Sequence, residues 1–164
     1  MKGQTGIVAA PLYHMNGLLF LLSLVAGGGT AILMSRFQAQ EYLSAIDRYK
    51  VTLLTGVPTM LALCLKEQEM VSALDLTSVR SIQIGSAPLS EALLGPVEQM
   101  FPNASIFNAY GTTEVGAGIF GPHPDKIPIP KVALGYPRPH VKVRLVGGAT
   151  PSEGVLEVKT EAAM

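Results

Sequence analysis

Ser81-Ile82-Gln83-Ile84-Gly85-Ser86-Ala87-Pro88-Leu89-Ser90-Glu91 is the stretch that decides the fold. It runs from a short β-rich segment through a turn of small residues and proline to the start of a helix. Ser90 stands just before Glu91, where an N-cap residue would lie, and Pro88 marks the turn between the two elements. The stretch therefore predicts a strand that leads directly into a helix.

The same succession of a β-rich run and a candidate helix repeats along the first two thirds of the chain. The other β-rich runs cover residues 7–10, 31–34, 52–55 and 105–108, and candidate helices cover 15–26, 39–49, 58–73 and 89–101. Such alternation favours right-handed β-α-β units and a parallel sheet covered on both faces. The predicted fold class is α/β, with a mostly parallel sheet flanked by helices.

A second, β-rich unit is predicted after this region. From Gly116 onward the chain becomes rich in proline and loses the helical period. The runs 141–146 and 155–159 alternate like strands of an antiparallel element, with a turn at Gly147-Gly148. We therefore expect an α/β subdomain over 1–134 and the beginning of a truncated β-rich subdomain over 135–164.

Composition narrows the class of protein. The 164 residues are 48% hydrophobic, and 12 basic residues balance 12 acidic ones. An ordered globular domain is expected, without the basic surface that nucleic-acid binding requires. The single cysteine, Cys64, lies in an apolar run and can form no internal disulfide, so we interpret it as a buried core thiol in a reducing compartment.

The uncharged stretch 18–34 approaches the length of a membrane span, which needs about 20 apolar residues. Gly27-Gly28-Gly29-Thr30 divides it into a helical piece and a short strand-like run. This division indicates a core helix that leads into a buried strand. We therefore expect no transmembrane segment and a cytoplasmic protein.

Four turns that follow the predicted strands have unusual chemistry. Ligands of open parallel sheets bind at the carboxyl ends of the strands, so these turns predict a binding cleft along one sheet edge. The four turns are Pro11-Leu12-Tyr13-His14-Met15-Asn16-Gly17, Thr55-Gly56-Val57-Pro58-Thr59, Gly85-Ser86-Ala87-Pro88-Leu89 and Asn108-Ala109-Tyr110-Gly111-Thr112-Thr113-Glu114.

The last of these turns, 108–114, combines an aromatic ring, a glycine, two hydroxyls and a carboxylate. An aromatic face can stack on a purine, hydroxyls can bind phosphate oxygens, and a carboxylate can hold the magnesium ion of a nucleotide. Thr-Thr-Glu is also ordinary chemistry at a helix N-terminus. On residue chemistry alone, a nucleotide site and a helix cap both stay open.

Tyr-Gly-Thr-Thr-Glu at 110–114 resembles the Tyr-Gly-x-Thr-Glu signature of the superfamily of acyl-CoA synthetases, luciferases and peptide-synthetase adenylation domains. Further segments occur in the order seen in that superfamily and extend the resemblance over essentially the whole chain. They are Pro-Leu-Tyr-His at 11–14, Gly-Val-Pro-Thr at 56–59, Gly-Ser-Ala-Pro-Leu at 85–89, Gly-Tyr-Pro-Arg-Pro at 135–139, Val-Lys-Val-Arg-Leu at 141–145 and Glu-Gly-Val-Leu-Glu-Val-Lys at 153–159.

The resemblance implies a two-step ligase, in which a carboxylic acid and ATP form acyl-AMP before coenzyme A accepts the acyl group. Tyr110 would then pack against adenine, Thr113 would contact the α-phosphate, and Glu114 would bind Mg²⁺. Thr113, Glu114 and His14 are the expected catalytic residues. The expected nucleotide-binding residues are Gly85, Ser86, Ala87, Pro88, Asn108, Ala109, Tyr110, Gly111, Thr112 and Thr113.

The resemblance also implies an acyl pocket, with His14 as a gating residue beside the carboxylate. Its expected lining is His14, Thr55, Gly56, Val57, Gly85 and Gly116. Because no acidic residue near Thr55 or Gly85 could pair with an α-amine, we expect a fatty or aryl acid rather than an amino acid.

Three elements of the superfamily are not found in these residues: a phosphate loop ending in Lys, a Thr-Gly-Asp that would grip the ribose, and a C-terminal domain with a catalytic Lys. We therefore expect a fragment that is inactive alone and works with the rest of a ligase chain. The alternatives are a non-catalytic nucleotide-binding module and a protein-interaction module. A Rossmann-type domain is disfavoured because no Gly-x-Gly-x-x-Gly joins a strand to a helix.

Overall fold

The computed structural model describes residues 1–161 and residue 163. The chain divides into two compact units, Met1–Asn108 and Ala109–Met164. This division falls earlier in the chain than the expected subdomain ranges of 1–134 and 135–164. Those ranges concern the subdomains of a larger enzyme and stay a prediction.

The first unit is built on a five-stranded parallel sheet flanked by helices, which confirms the predicted fold class. The sheet order is β2-β1-β3-β4-β5. The strands are β1 (Thr5–Val8), β2 (Thr30–Leu33), β3 (Leu53–Gly56), β4 (Ser81–Gly85) and β5 (Ser105–Ala109). The helices are α1 (Met15–Ala26), α2 (Ala39–Tyr49), α3 (Pro58–Lys66), α4 (Gln68–Ala73) and α5 (Glu91–Met100).

β1 has a central place in the sheet because it pairs in parallel with both β2 and β3. Ile7 lies opposite Ile32 on one side and opposite Leu54 on the other. After β1 the chain therefore moves outward to β2, returns across β1, and continues through β3, β4 and β5 on the opposite side. This reversal of direction is the topological feature that places a ligand cleft in such sheets.

The apolar core lies where the central strands meet the helices. Its fully enclosed side chains include Ile7, Leu54, Ile82 and Ile84 of the strands, and Leu43, Ile46 and Val97 of the helices. Cys64 of α3 is also enclosed, as predicted, and its burial raises the pKa of the thiol to about 12. The thiol therefore stays protonated at neutral pH and acts as a small apolar group.

Two glycines allow α1 to lie close to β1. A Cβ atom on Gly6 of β1 would lie 2.5 Å from a methyl carbon of Leu24. A Cβ atom on Gly17, in the first turn of α1, would lie 2.7 Å from the carbonyl oxygens of both Ala10 and Pro11. Since the latter neighbours are backbone atoms, they cannot rotate away, and position 17 requires glycine.

The local details of three predicted elements were wrong. The candidate helix over 58–73 is interrupted at Glu67, whose backbone leaves the helical region at φ −84° and ψ 53°. The predicted core helix and buried strand, α1 and β2, are more exposed than expected. β2 lies at the edge of the sheet, and Leu18, Leu22 and Val25 form an exposed apolar side of α1.

The second unit consists of short antiparallel pairs. β6 (Gly111–Thr112) pairs with β7 (Gly116–Ala117), and β8 (Phe120–Gly121) pairs with β9 (Tyr136–Pro137). The predicted antiparallel element is present as β10 (Lys142–Gly147) and β11 (Gly154–Lys159). Gly147 lies opposite Gly154, so the connection covers residues 148–153 and is longer than the expected turn at 147–148.

Within the described residues, no helix combines the length and the apolar character that crossing a membrane requires.

Replacing Gly17 with Ala is expected to destabilise the first unit by about 1–3 kcal/mol, because the new methyl group would press on two fixed backbone oxygens. Urea denaturation followed by circular dichroism measures this change. Gly95→Ala is the control, since a Cβ atom at Gly95 would meet no other atom within 4 Å. Alanine favours the helix more than glycine does, but Pro96 disfavours the helical conformation of the residue before it. The two effects offset each other, so the free energy of unfolding should change by less than about 0.5 kcal/mol. Equal losses in both variants would contradict the proposed close approach.

Candidate functional site

The first unit has its switch point between β1 and β3. The connection after β1 leads through α1 to β2, whereas the connection after β3 leads through α3 to β4 on the other side. The two connections therefore separate at the carboxyl ends of β1 and β3, and this divergence marks the expected position of a ligand crevice. The turns after β1, β3 and β4 lie along this sheet edge because these three strands are neighbours in that order.

The turn after β1 presents His14 at the start of α1. His14 is the N-cap residue, and its carbonyl oxygen accepts the Leu18 amide at 3.1 Å, as the first hydrogen bond of the helix. Its own amide donates to the carbonyl oxygen of Pro11 at 3.0 Å, which closes the turn. The exposed imidazole ring contacts the Tyr13 ring, with ring centroids 4.7 Å apart. The imidazole is thus exposed in the turn after β1, at the end of the strand where the crevice is expected.

The turn after β3 supplies a tightly enclosed wall. Thr55 is only 3% exposed, and its hydroxyl donates a hydrogen bond of 2.6 Å to Oδ1 of Asn16 in α1. Gly56 is also buried, and a Cβ atom on it would lie 3.4 Å from the side chain of Met60. Val57 is the N-cap residue of α3, with Pro58 in the first turn of that helix. The predicted acyl-pocket residues 55–57 therefore form one rigid strand-to-helix turn beside α1.

The turn after β4 turns sharply at Ser86. This residue has a φ of +64°, a conformation that costs a non-glycine residue on the order of 1–2 kcal/mol. Gly85 is buried at the end of the strand, whereas Ser86, Ala87 and Pro88 are exposed. Ser90 caps α5 by accepting the Leu93 amide at 3.3 Å, as predicted for the N-cap position. The exposed backbone of 86–88 is therefore held between a strand end and a capped helix.

The motif 110–114 adopts a β-hairpin in the second unit. Gly111 pairs with Ala117 and Thr112 pairs with Gly116, so Thr113 and Glu114 lie at the exposed tip. No helix begins at this motif in the described structure, which removes the helix-cap alternative left open by residue chemistry. Tyr110 precedes the hairpin and packs edge-on against Phe120, with ring centroids 5.8 Å apart.

Glu114 is held as an anion at this tip. A hydrogen bond from the Thr112 side chain, followed by one from its own backbone amide, lowers the pKa of the Glu114 carboxyl below its ordinary value. Thr112 Oγ1 also accepts the Val115 amide at 3.4 Å, which fixes the hydroxyl in the turn. The carboxylate is fully ionised at neutral pH and is suited to a hard cation such as Mg²⁺.

The Glu114 carboxylate is the candidate ligand for a magnesium ion that would arrive with a nucleotide. No group of three or more metal-ligating side chains occurs in the described part of the chain. Mg²⁺ commonly binds through one or two carboxylates together with substrate phosphates, and it keeps several waters. A single ionised carboxylate on a hairpin tip therefore matches a nucleotide-borne ion better than a permanent metal centre.

Known proteins are similar to this chain along most of its length. The sequence profile of the AMP-binding enzyme family matches residues 2–160. A probable CoA ligase of Humulus lupulus is 38% identical over 113 residues, which are 68% of this chain and 20% of that protein. The 4-coumarate–CoA ligase 2 of Nicotiana tabacum is 40% identical over 107 residues, or 65% of this chain and 20% of the relative. The chain spans about one fifth of the length of these relatives.

Solved structures show the same likeness in three dimensions. The luciferase-like enzyme from the mealworm Zophobas morio matches with a TM-score of 0.82 and 25% identity, over 98% of this chain and 40% of that one. The O-succinylbenzoate coenzyme A synthetase of Bacillus subtilis, in complex with ATP and magnesium ion, matches with a TM-score of 0.76 and 27% identity. This match covers 100% of this chain and 34% of the synthetase chain. The chain belongs to the AMP-binding enzyme family of adenylate-forming proteins.

The sequence predicted no functional role for two residues that contact predicted site residues, Asn16 and Phe120. Asn16 lies inside the turn that was singled out, but its hydrogen bond to Thr55 joins positions 39 residues apart and leaves no local signal. Phe120 has no motif around it, and its contact with Tyr110 depends on the turn of the chain after β7. The assigned roles of the other site residues stay predictions.

Replacing Thr112 with Val is expected to raise the pKa of Glu114 toward its ordinary value of 4.5, because the largest stabilising hydrogen bond to the carboxylate is lost. The carboxyl-carbon chemical shift of Glu114, followed by NMR as a function of pH, measures this shift. Thr113→Val, which removes the neighbouring hydroxyl, should leave the titration unchanged. If both variants titrate like the wild type, Thr112 does not stabilise the anion.

Proposed function

We propose that this chain is the part of an ATP-dependent acyl-CoA ligase that carries the acyl wall and one side of the nucleotide site. The observation that carries the proposal is the set of three strand-end turns, 11–17, 55–59 and 85–89, along one edge of the sheet at its switch point. In such sheets this edge is where small ligands bind. The family membership and the CoA ligases among the relatives support the same reading.

In the proposed reaction, a carboxylate oxygen of the acid attacks the α-phosphate of ATP. The P–O bond to the β-phosphate breaks, and acyl-AMP and pyrophosphate form. The deprotonated thiol of coenzyme A then attacks the acyl carbonyl, and AMP leaves with the electron pair of the broken C–O bond. The acid bound is a fatty or aryl acid, since no carboxylate lies near Thr55 or Gly85 in sequence to pair with an amine.

Each turn has a proposed part in binding. Thr55, Gly56 and Val57 form the acyl wall, and the exposed imidazole of His14 gates the carboxylate end of the acid. The backbone of 85–88 binds the adenylate, and Gly116 adds to the acyl lining. Rigid, preformed walls of this kind favour a bound geometry close to the reactive one.

The hairpin motif has the proposed nucleotide role. Tyr110 offers a half-buried ring to the adenine, Thr113 contacts the α-phosphate, and Glu114 binds the Mg²⁺ that accompanies ATP. A bound magnesium ion would offset the negative charge that develops on the phosphates. The lowered pKa of Glu114 supports this role, because the carboxylate needs no deprotonation before it binds the cation.

The proposed ligase needs protein beyond these residues. The matched relatives are about five times as long as the matching segment. The exposed apolar side of α1, formed by Leu18, Leu22 and Val25, supports packing against another part of such a chain. The phosphate loop, ribose-binding Asp and catalytic Lys expected of the superfamily are not found in this sequence. We propose a cytoplasmic enzyme in which that remainder supplies them.

The 164-residue chain alone is expected to release no pyrophosphate above background when it is given ATP, Mg²⁺ and a panel of fatty and aryl acids. The physical reason is that charge on the reacting α-phosphate needs several converging cationic groups. A coupled pyrophosphate assay measures the rate. Turnover at the usual level of about 1–1,000 per second would refute this expectation.

The chain is nevertheless expected to bind a non-hydrolysable acyl-AMP mimic, and to bind ATP more tightly with Mg²⁺ than without it. Glu114→Gln should abolish the gain from Mg²⁺, because a neutral amide is a poor ligand for a hard cation. Isothermal titration calorimetry measures both affinities, and Glu153→Gln on the 148–153 connection is the matched control. Absence of binding, with an unchanged melting temperature, would sink the proposed nucleotide site.

A further inference from the structure

The hydroxyl of Thr55 is enclosed at the carboxyl end of β3, where a polar group needs a partner. That partner is Asn16 Oδ1, at 2.6 Å. Since the carboxamide oxygen carries no hydrogen, the threonine hydroxyl must be the donor. The bond therefore has one direction, and it joins the first turn of α1 to the end of β3.

The first turn of α1 is held on two sides. On one side, Gly17 lies against the carbonyl oxygens of Ala10 and Pro11 in the turn after β1. On the other side, the Asn16 carboxamide reaches across to Thr55 of β3. The turn thus bridges the two strands whose connections diverge at the switch point.

His14 depends on this bridge for its position. It lies two residues before Asn16 as the N-cap of α1, and its side chain makes no capping hydrogen bond. Within the described part of the chain, the imidazole is in ring contact with Tyr13, which is itself 85% exposed and thus a weak support. The location of the imidazole therefore follows from the backbone of the helix start.

We propose that Asn16 is a positioning residue. By accepting the Thr55 hydrogen bond, it holds the start of α1 against β3 and so sets where His14 stands at the crevice. This inference deepens the proposed ligase function, on which its consequence for acyl binding rests. Loss of the bond frees the first turn of α1 while the rest of the helix stays seated through Gly6 and Leu24.

Amide hydrogen exchange measures this freedom directly. The Leu18 amide reports on the first α1 hydrogen bond, to His14, and the Tyr42 amide, bonded to Gln38, reports on α2 as an internal reference. In Thr55→Val, Leu18 should exchange about tenfold faster relative to Tyr42, because a buried hydrogen bond is lost. Thr55→Ser, which keeps the hydroxyl, should recover most of the protection. Asn16→Ala, at a half-buried position, tests the same bond if Thr55→Val fails to fold.

Thr52→Val is the matched control. Thr52 lies just before β3, at the opposite end of that strand, and its hydroxyl bonds to the carbonyl oxygen of Thr5 at 3.1 Å. Its loss should lower the melting temperature and leave the ratio of Leu18 to Tyr42 exchange unchanged. The imidazole NMR signals of His14 should move in Thr55→Val, return in Thr55→Ser and stay in place in Thr52→Val.

The inference is overturned if Thr55→Val and Asn16→Ala leave the ratio of Leu18 to Tyr42 exchange and the His14 imidazole signals as in the wild type. It is also overturned if Thr52→Val changes this ratio and these signals as much as Thr55→Val does. Calorimetry with the acyl-AMP mimic tests the proposed ligase function independently of the role of Asn16. If the wild type binds the mimic, Thr55→Val should weaken binding by about tenfold, and Thr52→Val should not. If the wild type does not bind it, the ligase proposal fails, while the exchange ratio still decides the role of Asn16.

Discussion

The pairing of β1 with β2 on one side and with β3 on the other is the constraint on which the first unit depends. Once β1 is central, its connection and that of β3 must separate at their carboxyl ends. α1 has to pack closely over β1, which Gly6 and Gly17 permit, and its first turn then stands beside Thr55. The expected position of the crevice, the enclosed turn after β3 and the exposed position of His14 all follow from this one arrangement.

The rigid and the strained parts of the site have different physical origins. The turn after β3 is held by packing and hydrogen bonding, because Thr55 and Gly56 are buried and the Thr55 hydroxyl bonds to Asn16. The turn after β4 places Ser86 in the left-handed region, and the buried Gly85 and the capped start of α5 hold it there. Strain of this kind persists where the surrounding structure overdetermines the backbone. Both features are typical of a site built to hold a ligand in one geometry.

The second unit has its own electrostatic feature. Its hairpin carries Glu114 on an exposed tip, where the Thr112 hydrogen bond favours the anion. Because the folded-state pKa is lowered, any stability that the group contributes is present at neutral pH and is lost as the pH falls through that pKa. An exposed carboxylate that stays ionised is suited to a cation shared with a ligand, and the family membership supplies the context for that ligand.

The sequence by itself determined the α/β class, most strand and helix positions, the strand-end turns and the family, because alternation, Gly/Pro punctuation and short motifs are local. It overestimated the burial of α1 and β2 and missed the break at Glu67, since apolar content does not reveal what packs on a helix face. Only the tertiary structure decided that the Thr-Thr-Glu motif is a hairpin rather than a helix cap. It alone also joined Asn16 to Thr55, because a hydrogen bond across 39 residues depends on the order of strands in the sheet.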